Sequence, residues 1–188
     1  TYAFGEIRST HQQNLVLGDV QTSRLYELWQ HLQAAGLATP NIGYLTDIIC
    51  CPGGDYCSLA NAKSLPVAEA IQTRFDDLDY MYDLGPLELN ISGCMNACGH
   101  HHIGHIGILG VDKKGQEFYQ VCLGGSQSKE ASIGSILGPS FKQDDMHDII
   151  DNILSTYVTL RLDEESFLET YRRVGIDPFK ERVYAQVN

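Results

Sequence analysis

Four of the six cysteines in this 188-residue chain form two close pairs. Five residues separate Cys51 from Cys57, and three separate Cys94 from Cys98. Packing alone does not explain such pairs, whereas four thiolates are the usual ligand set of an iron–sulfur cluster. Small residues let the backbone approach a bulky inorganic core and direct N–H groups at its sulfurs. Such residues adjoin both pairs: Gly53, Gly54, Gly93, Ala97 and Gly99.

Three interpretations of the paired thiols stay open at this level: an iron–sulfur cluster, a zinc site and unliganded thiols. Structural zinc prefers two to four residues between paired cysteines, so the wider spacing of the first pair favours iron and sulfur. A zinc site formed by the second pair with His100 and His102 is a less favoured alternative. We expect Cys50 and Cys122 to be buried thiols without a ligand role, because free cysteine is often buried.

The composition limits the class of protein. A hydrophobic share of 43% and a charged share of 20% are typical of a globular chain with one compact domain or two small ones. The net charge of −11 argues against binding to nucleic acid or to an anionic membrane surface. No apolar run is long enough for a membrane span, and no secretory signal is evident. Clustered thiols in a chain of this length favour a reducing, cytoplasmic location over a disulfide framework.

The first forty residues predict short strands and one helix. Residues 1–20 contain strand-like segments and a turn, and a helical apolar stripe follows. We predict an N-cap at Thr22 or Ser23 and place Trp29 of the stripe in the core. A break at 39–41 predicts a domain boundary.

The rest of the chain predicts an α+β domain. A helix is expected from about Ser58 to Phe75, interrupted at Pro66. The alternating residues 87–91 predict a strand that leads into the second cysteine pair, and 106–123 predicts a hairpin. From Asp144 onward, apolar stripes at helical spacing predict core-facing helices.

The chain resembles the C-terminal half of the sirohaem/4Fe-4S nitrite and sulfite reductase haem-protein family. That family's C-x5-C and C-x3-C motifs match the two cysteine pairs. Its G-C-x-N-x-C segment, followed by Gly or Ala, matches Gly93–Gly99. Its G-x-x-R-x-T-x-x-Q-N-L stretch matches Gly5–Leu15, and its L-G-G loop matches Leu123–Gly125. The four features occur in the family's order and cover nearly the full length.

The resemblance implies a role for specific residues. Cys51, Cys57, Cys94 and Cys98 would bind the 4Fe-4S cluster, and Cys98 would also be the proximal ligand of the sirohaem iron, at the catalytic centre. Other residues would contact the sirohaem: Arg8, Thr10, Gln13, Asn14, Asn96, Gly124 and Gly125. The chain departs from the family's frequent Pro and Gly at Met95 and Ala97, and from its Arg or Gln at His100, His101 and His102. One or two residues of a histidine group would donate to cofactor carboxylates: His100, His101, His102 and His105.

The implied fold is part of a ferredoxin-like domain over residues 1–40, followed by a sirohaem/4Fe-4S-binding domain over 41–188. The implied activity is six-electron reduction of sulfite to sulfide in sulfate assimilation, with nitrite reduction to ammonia as the alternative. The implied electron donor is a ferredoxin or a flavoprotein. A non-enzymatic iron–sulfur or zinc module is the alternative from another class, and it would hold no sirohaem.

The charge distribution adds an expectation about the remainder of the protein. The chain begins at Thr1 without an initiator Met, so we expect either a processed protein or a fragment. Sirohaem carries eight carboxylates and its substrates are anions, so the site needs cations. Residues 41–111 contain only Lys63 and Arg74 against eight acids. Our hypothesis is that the N-terminal half of the same protein supplies the missing Lys and Arg side chains.

Overall fold

The computed structural model describes residues 2–185 and divides into two compact units, Thr1–Pro40 and Asn41–Asn188. In the first unit, β1 (Arg8–Ser9) pairs antiparallel with β2 (Leu15–Val16). A 3-10 turn over Thr22–Arg24 then leads into α1 (Leu25–Ala34).

Two expectations for α1 were wrong. Thr22 and Ser23 lie within the 3-10 turn, and Arg24 occupies the N-cap without a side-chain capping bond. Trp29 is 44% exposed rather than part of the core. The apolar stripe of this helix buries only Leu28, because the described part of its unit offers few apolar groups to pack against.

The second unit contains a five-stranded sheet in the order β3-β4-β5-β6-β7. β3 (Ile49–Cys50), β4 (Leu89–Ser92) and β5 (Ile106–Lys113) run parallel. β6 (Gln116–Leu123) and β7 (Ser135–Ile136) continue the sheet antiparallel. The predicted hairpin is present as β5 and β6.

Five helices complete this unit: α2 (Leu65–Arg74), α3 (Leu78–Leu84), α4 (Met146–Leu160), α5 (Phe167–Val174) and α6 (Asp177–Ala185). The core lies between helices and sheet, and the stripe of α4 is buried as predicted. The predicted helix start at Ser58 was wrong, because α2 begins at Leu65. Pro66 lies in its first turn, where a missing N–H costs nothing, and so does not interrupt the helix.

β4 is buried on both faces. Leu89 and Ile91 pack into the core, while Asn90 and Ser92 point to the opposite face, as the two-residue period of a strand requires. The chain that follows the second cysteine pair covers these polar residues and bonds to them. The α+β class is therefore confirmed. Within residues 2–185, no helix is both long and apolar enough to cross a membrane.

Candidate metal centre

The two cysteine loops leave the sheet at the carboxyl ends of the neighbouring parallel strands β3 and β4. We call Cys51–Cys57 the first cysteine loop and Cys94–Cys98 the second. Cys51 follows β3 directly, and the second loop begins two residues after β4. Because β3 and β4 are parallel, their carboxyl ends lie side by side, and the backbone N–H of Cys51 donates to the Ile91 carbonyl at 3.1 Å. The fold therefore brings together two pairs that are far apart in sequence.

Gly93 joins the two loops. Its N–H donates to Sγ of Cys51 at 3.0 Å. Its carbonyl accepts the N–H groups of Asn61 and Ala62 at 2.8 and 3.0 Å, so the chain leaving the first loop is anchored beside Cys94. A Cβ on Gly93 would lie 2.7 Å from the Ala62 carbonyl oxygen, closer than real Cβ atoms approach, so this junction requires glycine.

β6 holds the segment behind the first loop. The buried Tyr119 hydroxyl donates to the Lys63 carbonyl at 2.7 Å, and the Lys63 N–H donates to Oε2 of Glu117 at 3.1 Å. Burial raises the pKa of Tyr119, which keeps the phenol protonated and able to donate. Strand β6 thus supports the segment at Lys63, which follows the first loop.

Polar side chains of β4 fix the second loop. Oγ of Ser92 accepts the Gly99 N–H at 3.1 Å, and Nδ2 of Asn90 donates to the His100 carbonyl at 3.1 Å. Ala97 has a φ of +56°, in the left-handed region that favours glycine, at the position where the resembled family often has Gly. Ala97 thus adopts a conformation that glycine would adopt without strain.

The four predicted ligands differ in exposure. Cys51 and Cys94 are each 8% exposed, Cys57 is half-buried and Cys98 is exposed. Each loop thus starts at a buried thiol and ends at a more accessible one. All six cysteines are free thiols.

The donor set fits a 4Fe-4S cluster. Four thiols lie on adjoining loops. Glycines without room for a Cβ, Gly53 and Gly93, keep the backbone of these loops tightly packed beside the thiols. Clusters are bound by thiolates at separate iron corners, so the sulfurs need not converge on one point. Across residues 2–185, no group of three or more His, Cys, Asp or Glu side chains converges to hold a single metal ion, the alternative zinc site included.

The other two cysteines have different surroundings. Cys122 is buried, and burial raises the pKa of its thiol to about 11. Cys50 is only partly buried, and its thiol donates to the Cys51 carbonyl at 3.3 Å. Burial, together with neighbouring Cys51, raises the pKa of Cys50 to about 12. Both are held as neutral thiols, which are poor metal ligands.

The histidines do not act as one group. His100 and His102 are exposed, and Nδ1 of the half-buried His105 accepts the Glu88 N–H at 3.2 Å. His101 is fully buried, and within residues 2–185 neither ring nitrogen has a hydrogen-bond partner. Burial, and then the neighbouring His102, lower the pKa of His101 to about 4. No local pattern separates this histidine from its neighbours.

The remaining predicted cofactor residues belong to three separate segments of the sequence. Asn96 is exposed within the second loop, beside the thiols. Gly124 and Gly125 follow β6, at the opposite end of the sheet from the cysteines. Four others belong to the first unit, where the Asn14 N–H donates to Oγ1 of Thr10 at 3.1 Å. These are Arg8, Thr10, Gln13 and Asn14.

Comparison with known proteins places this arrangement in a family. Residues 44–188 match the family model described as Nitrite and sulphite reductase 4Fe-4S domain. The chain is 28% identical over 184 residues to Sulfite reductase (ferredoxin) 2 of Mycolicibacterium paratuberculosis, covering 93% of this chain and 33% of that protein. It is 28% identical over 159 residues to Ferredoxin--nitrite reductase of Synechococcus elongatus, covering 82% of this chain and 30% of that protein.

A solved structure agrees with the sequence relatives. The NirA protein of Mycobacterium tuberculosis matches with a TM-score of 0.78 and 28% identity, covering 92% of this chain and 33% of that one. The chain thus spans about a third of the length of the proteins that it matches. The predicted resemblance is confirmed, and the chain belongs to the nitrite and sulphite reductase 4Fe-4S domain family.

Proposed function

We propose that this chain is the cluster- and sirohaem-binding part of a sulfite reductase, which reduces sulfite to sulfide with six electrons. The proposal rests on one observation: the two cysteine loops lie side by side at the carboxyl ends of β3 and β4. Nitrite reduction to ammonia is the second candidate, because a relative named as a nitrite reductase matches over 82% of the chain.

Cys51, Cys57, Cys94 and Cys98 hold the cluster in this proposal. When bound, the cluster would relay electrons from the external donor, and the sirohaem would supply the iron for oxyanion reduction. Cys98 is the exposed member of the four, which supports its second role as the proximal sirohaem ligand. The exposed amide of Asn96 is two residues away and would donate to sirohaem carboxylates.

The remaining sirohaem contacts are proposed from the family motifs. The hairpin of the first unit would line the macrocycle through Arg8, Thr10, Gln13 and Asn14. Gly124 and Gly125 are proposed as cofactor contacts on their motif alone, since both are buried against other parts of this chain.

The two cations of residues 41–111 each have an acidic partner. Nζ of Lys63 lies 3.2 Å from Oδ1 of Asp55, and Arg74 pairs with Asp151. An acidic partner weakens the attraction of each cation for an anionic substrate or for the sirohaem carboxylates. These ion pairs support the hypothesis that an N-terminal half of the protein supplies the substrate-binding Arg and Lys residues.

The exposed apolar side chains of the first unit are evidence that another segment packs against it. We propose that Thr1–Pro40 is part of a ferredoxin-like domain completed by another segment of the protein. Its large apolar side chains are widely exposed and would pack against that segment. Those more than 60% exposed are Phe4, Ile7, Leu15, Tyr26 and Leu37.

The proposal also includes an electron donor and a cellular location. Names of the relatives favour a ferredoxin as donor over a flavoprotein. Six free thiols fit a reducing cytoplasm.

The test is metal and sulfide analysis of the intact protein, purified without oxygen, together with its visible spectrum and assays with sulfite and nitrite. We expect about five iron (four in the cluster and one in the sirohaem) and about four sulfide per chain, a sirohaem spectrum and faster turnover of sulfite. Faster turnover of nitrite would select the second candidate. A cluster without tetrapyrrole would indicate an electron-transfer module, and zinc without iron would contradict the proposal.

A further inference from the structure

Ser64 occupies a helix N-cap without capping the helix. A serine at this position normally accepts the N–H of the second or third helical residue. Ser166 does so at the start of α5, where its Oγ accepts the Glu169 N–H. At the start of α2, Ser64 makes no side-chain capping bond, and Pro66 at the second position has no N–H to offer.

The Ser64 hydroxyl points to the first cysteine loop instead. Ser64 is fully buried, and its Oγ lies 3.5 Å from Sγ of Cys51, its one hydrogen-bond partner within residues 2–185. Two glycines leave room for this side chain. A Cβ on Gly53 or Gly93 would lie 2.6 or 2.9 Å from Oγ of Ser64.

The chemistry of the pair fixes the direction of the hydrogen bond. A ligating cysteine is a thiolate, which accepts hydrogen bonds and cannot donate them. The Ser64 hydroxyl must therefore donate. The Gly93 N–H already donates to the same sulfur at 3.0 Å, so Cys51 receives two donors from buried groups.

We propose that Ser64 is a positioning residue that donates a hydrogen bond to the Cys51 thiolate and thereby raises the reduction potential of the cluster. Hydrogen bonds to cluster sulfurs stabilise the more negative, reduced state. The inference deepens the proposed function, on which it rests, by assigning the redox tuning of the cluster to a residue outside the ligand set.

The test compares Ser64→Ala with Thr156→Val in the intact, cluster-loaded protein. Thr156 is a matched control, since its buried hydroxyl bonds to the Asn152 carbonyl within α4, away from the cysteine loops. Iron and sulfide are measured first. At a fixed solution potential we expect Ser64→Ala to lower the ratio of reduced to oxidised cluster about tenfold, which is about 59 mV for a one-electron couple. Thr156→Val should leave the ratio unchanged.

A second measurement uses the wild type and does not depend on a variant that folds. Pulsed electron paramagnetic resonance of the reduced cluster in H₂O and D₂O should detect two exchangeable protons beside one thiolate, from Gly93 and Ser64. Only one such proton, or a Ser64→Ala cluster with unchanged potential, would overturn the inference alone. A wild type without iron and sulfide would overturn the proposed function as well.

Discussion

The first and second cysteine loops reach the same edge of the sheet but are held by different means. The first is fixed by backbone hydrogen bonds, from Gly54 to the Ala62 carbonyl and from Ala62 to Gly93. The second is fixed by buried side chains of β4, Asn90 and Ser92. Both loops depend on glycines that give the backbone space, because a Cβ on Gly99 would lie 1.9 Å from the Ile91 carbonyl oxygen, and the second depends in addition on the buried side chains of β4.

Both loops share one asymmetry, and the largest effect is expected at the buried thiols that lead them. The leading thiols, Cys51 and Cys94, are buried, while the trailing ones are more accessible. We expect Cys51→Ser or Cys94→Ser to lower cluster affinity at least about tenfold, measured as iron and sulfide per chain after gel filtration. Cys122→Ser is the control and should keep the full content. Equal loss in the control would mean that any buried thiol change unfolds the domain.

The role of backbone space in the first loop can be tested with adjacent glycines. Gly53 has a φ of +59°, and a Cβ there would lie 2.4 Å from the Ser64 nitrogen. At Gly54 the nearest atom would be 3.4 Å away, an ordinary contact. We expect Gly53→Ala to lower the free energy of unfolding by about 3 kcal/mol in urea titrations, and Gly54→Ala by much less. Equal effects would contradict the dependence on space.

The segment after the second loop should make stability depend on pH through His101. Its pKa of about 4 lies below the unfolded value near 6.5, so between these values the unfolded chain binds the extra proton. Stability should therefore fall as the pH falls from 7 to 5, with His101 contributing about 2 kcal/mol of the loss.

His101→Phe should remove that contribution, because the buried ring makes no hydrogen bond within residues 2–185 that the change would break. Urea unfolding at both pH values measures it. His147→Gln, at a half-buried histidine on α4, should keep the wild-type pH dependence. If His101→Phe loses as much free energy of unfolding between pH 7 and pH 5 as the wild type does, other groups cause the loss.

The smallest effect concerns the polar support of the second loop. Ser92→Ala leaves the Gly99 N–H without its acceptor, and we expect a loss of about 1 kcal/mol in the free energy of unfolding. Ser135→Ala, on the exposed β7, should change stability by less than about 0.5 kcal/mol. Equal values would remove the distinction between the two loops.

Much of the architecture could be predicted from local patterns. The α4 stripe and the β5–β6 hairpin follow from apolar spacing, since the same residues are buried whatever they pack against. Errors arose where a neighbour overrides a local signal. The sequence predicts a helix interruption at Pro66, which lies in the first turn of α2, and it predicts a buried Trp29, for which the first unit provides no core.

The sequence by itself determined the chemistry: four thiols in two pairs, flanked by glycines, with few cations nearby. The tertiary structure decided which groups serve that chemistry. Parallel pairing of β3 and β4 brings the two cysteine loops together, although 36 residues separate Cys57 from Cys94. The same packing turns Ser64 from a helix cap toward Cys51. Spacing along a chain records residue types, whereas hydrogen bonds between distant segments exist only once the sheet has set their register.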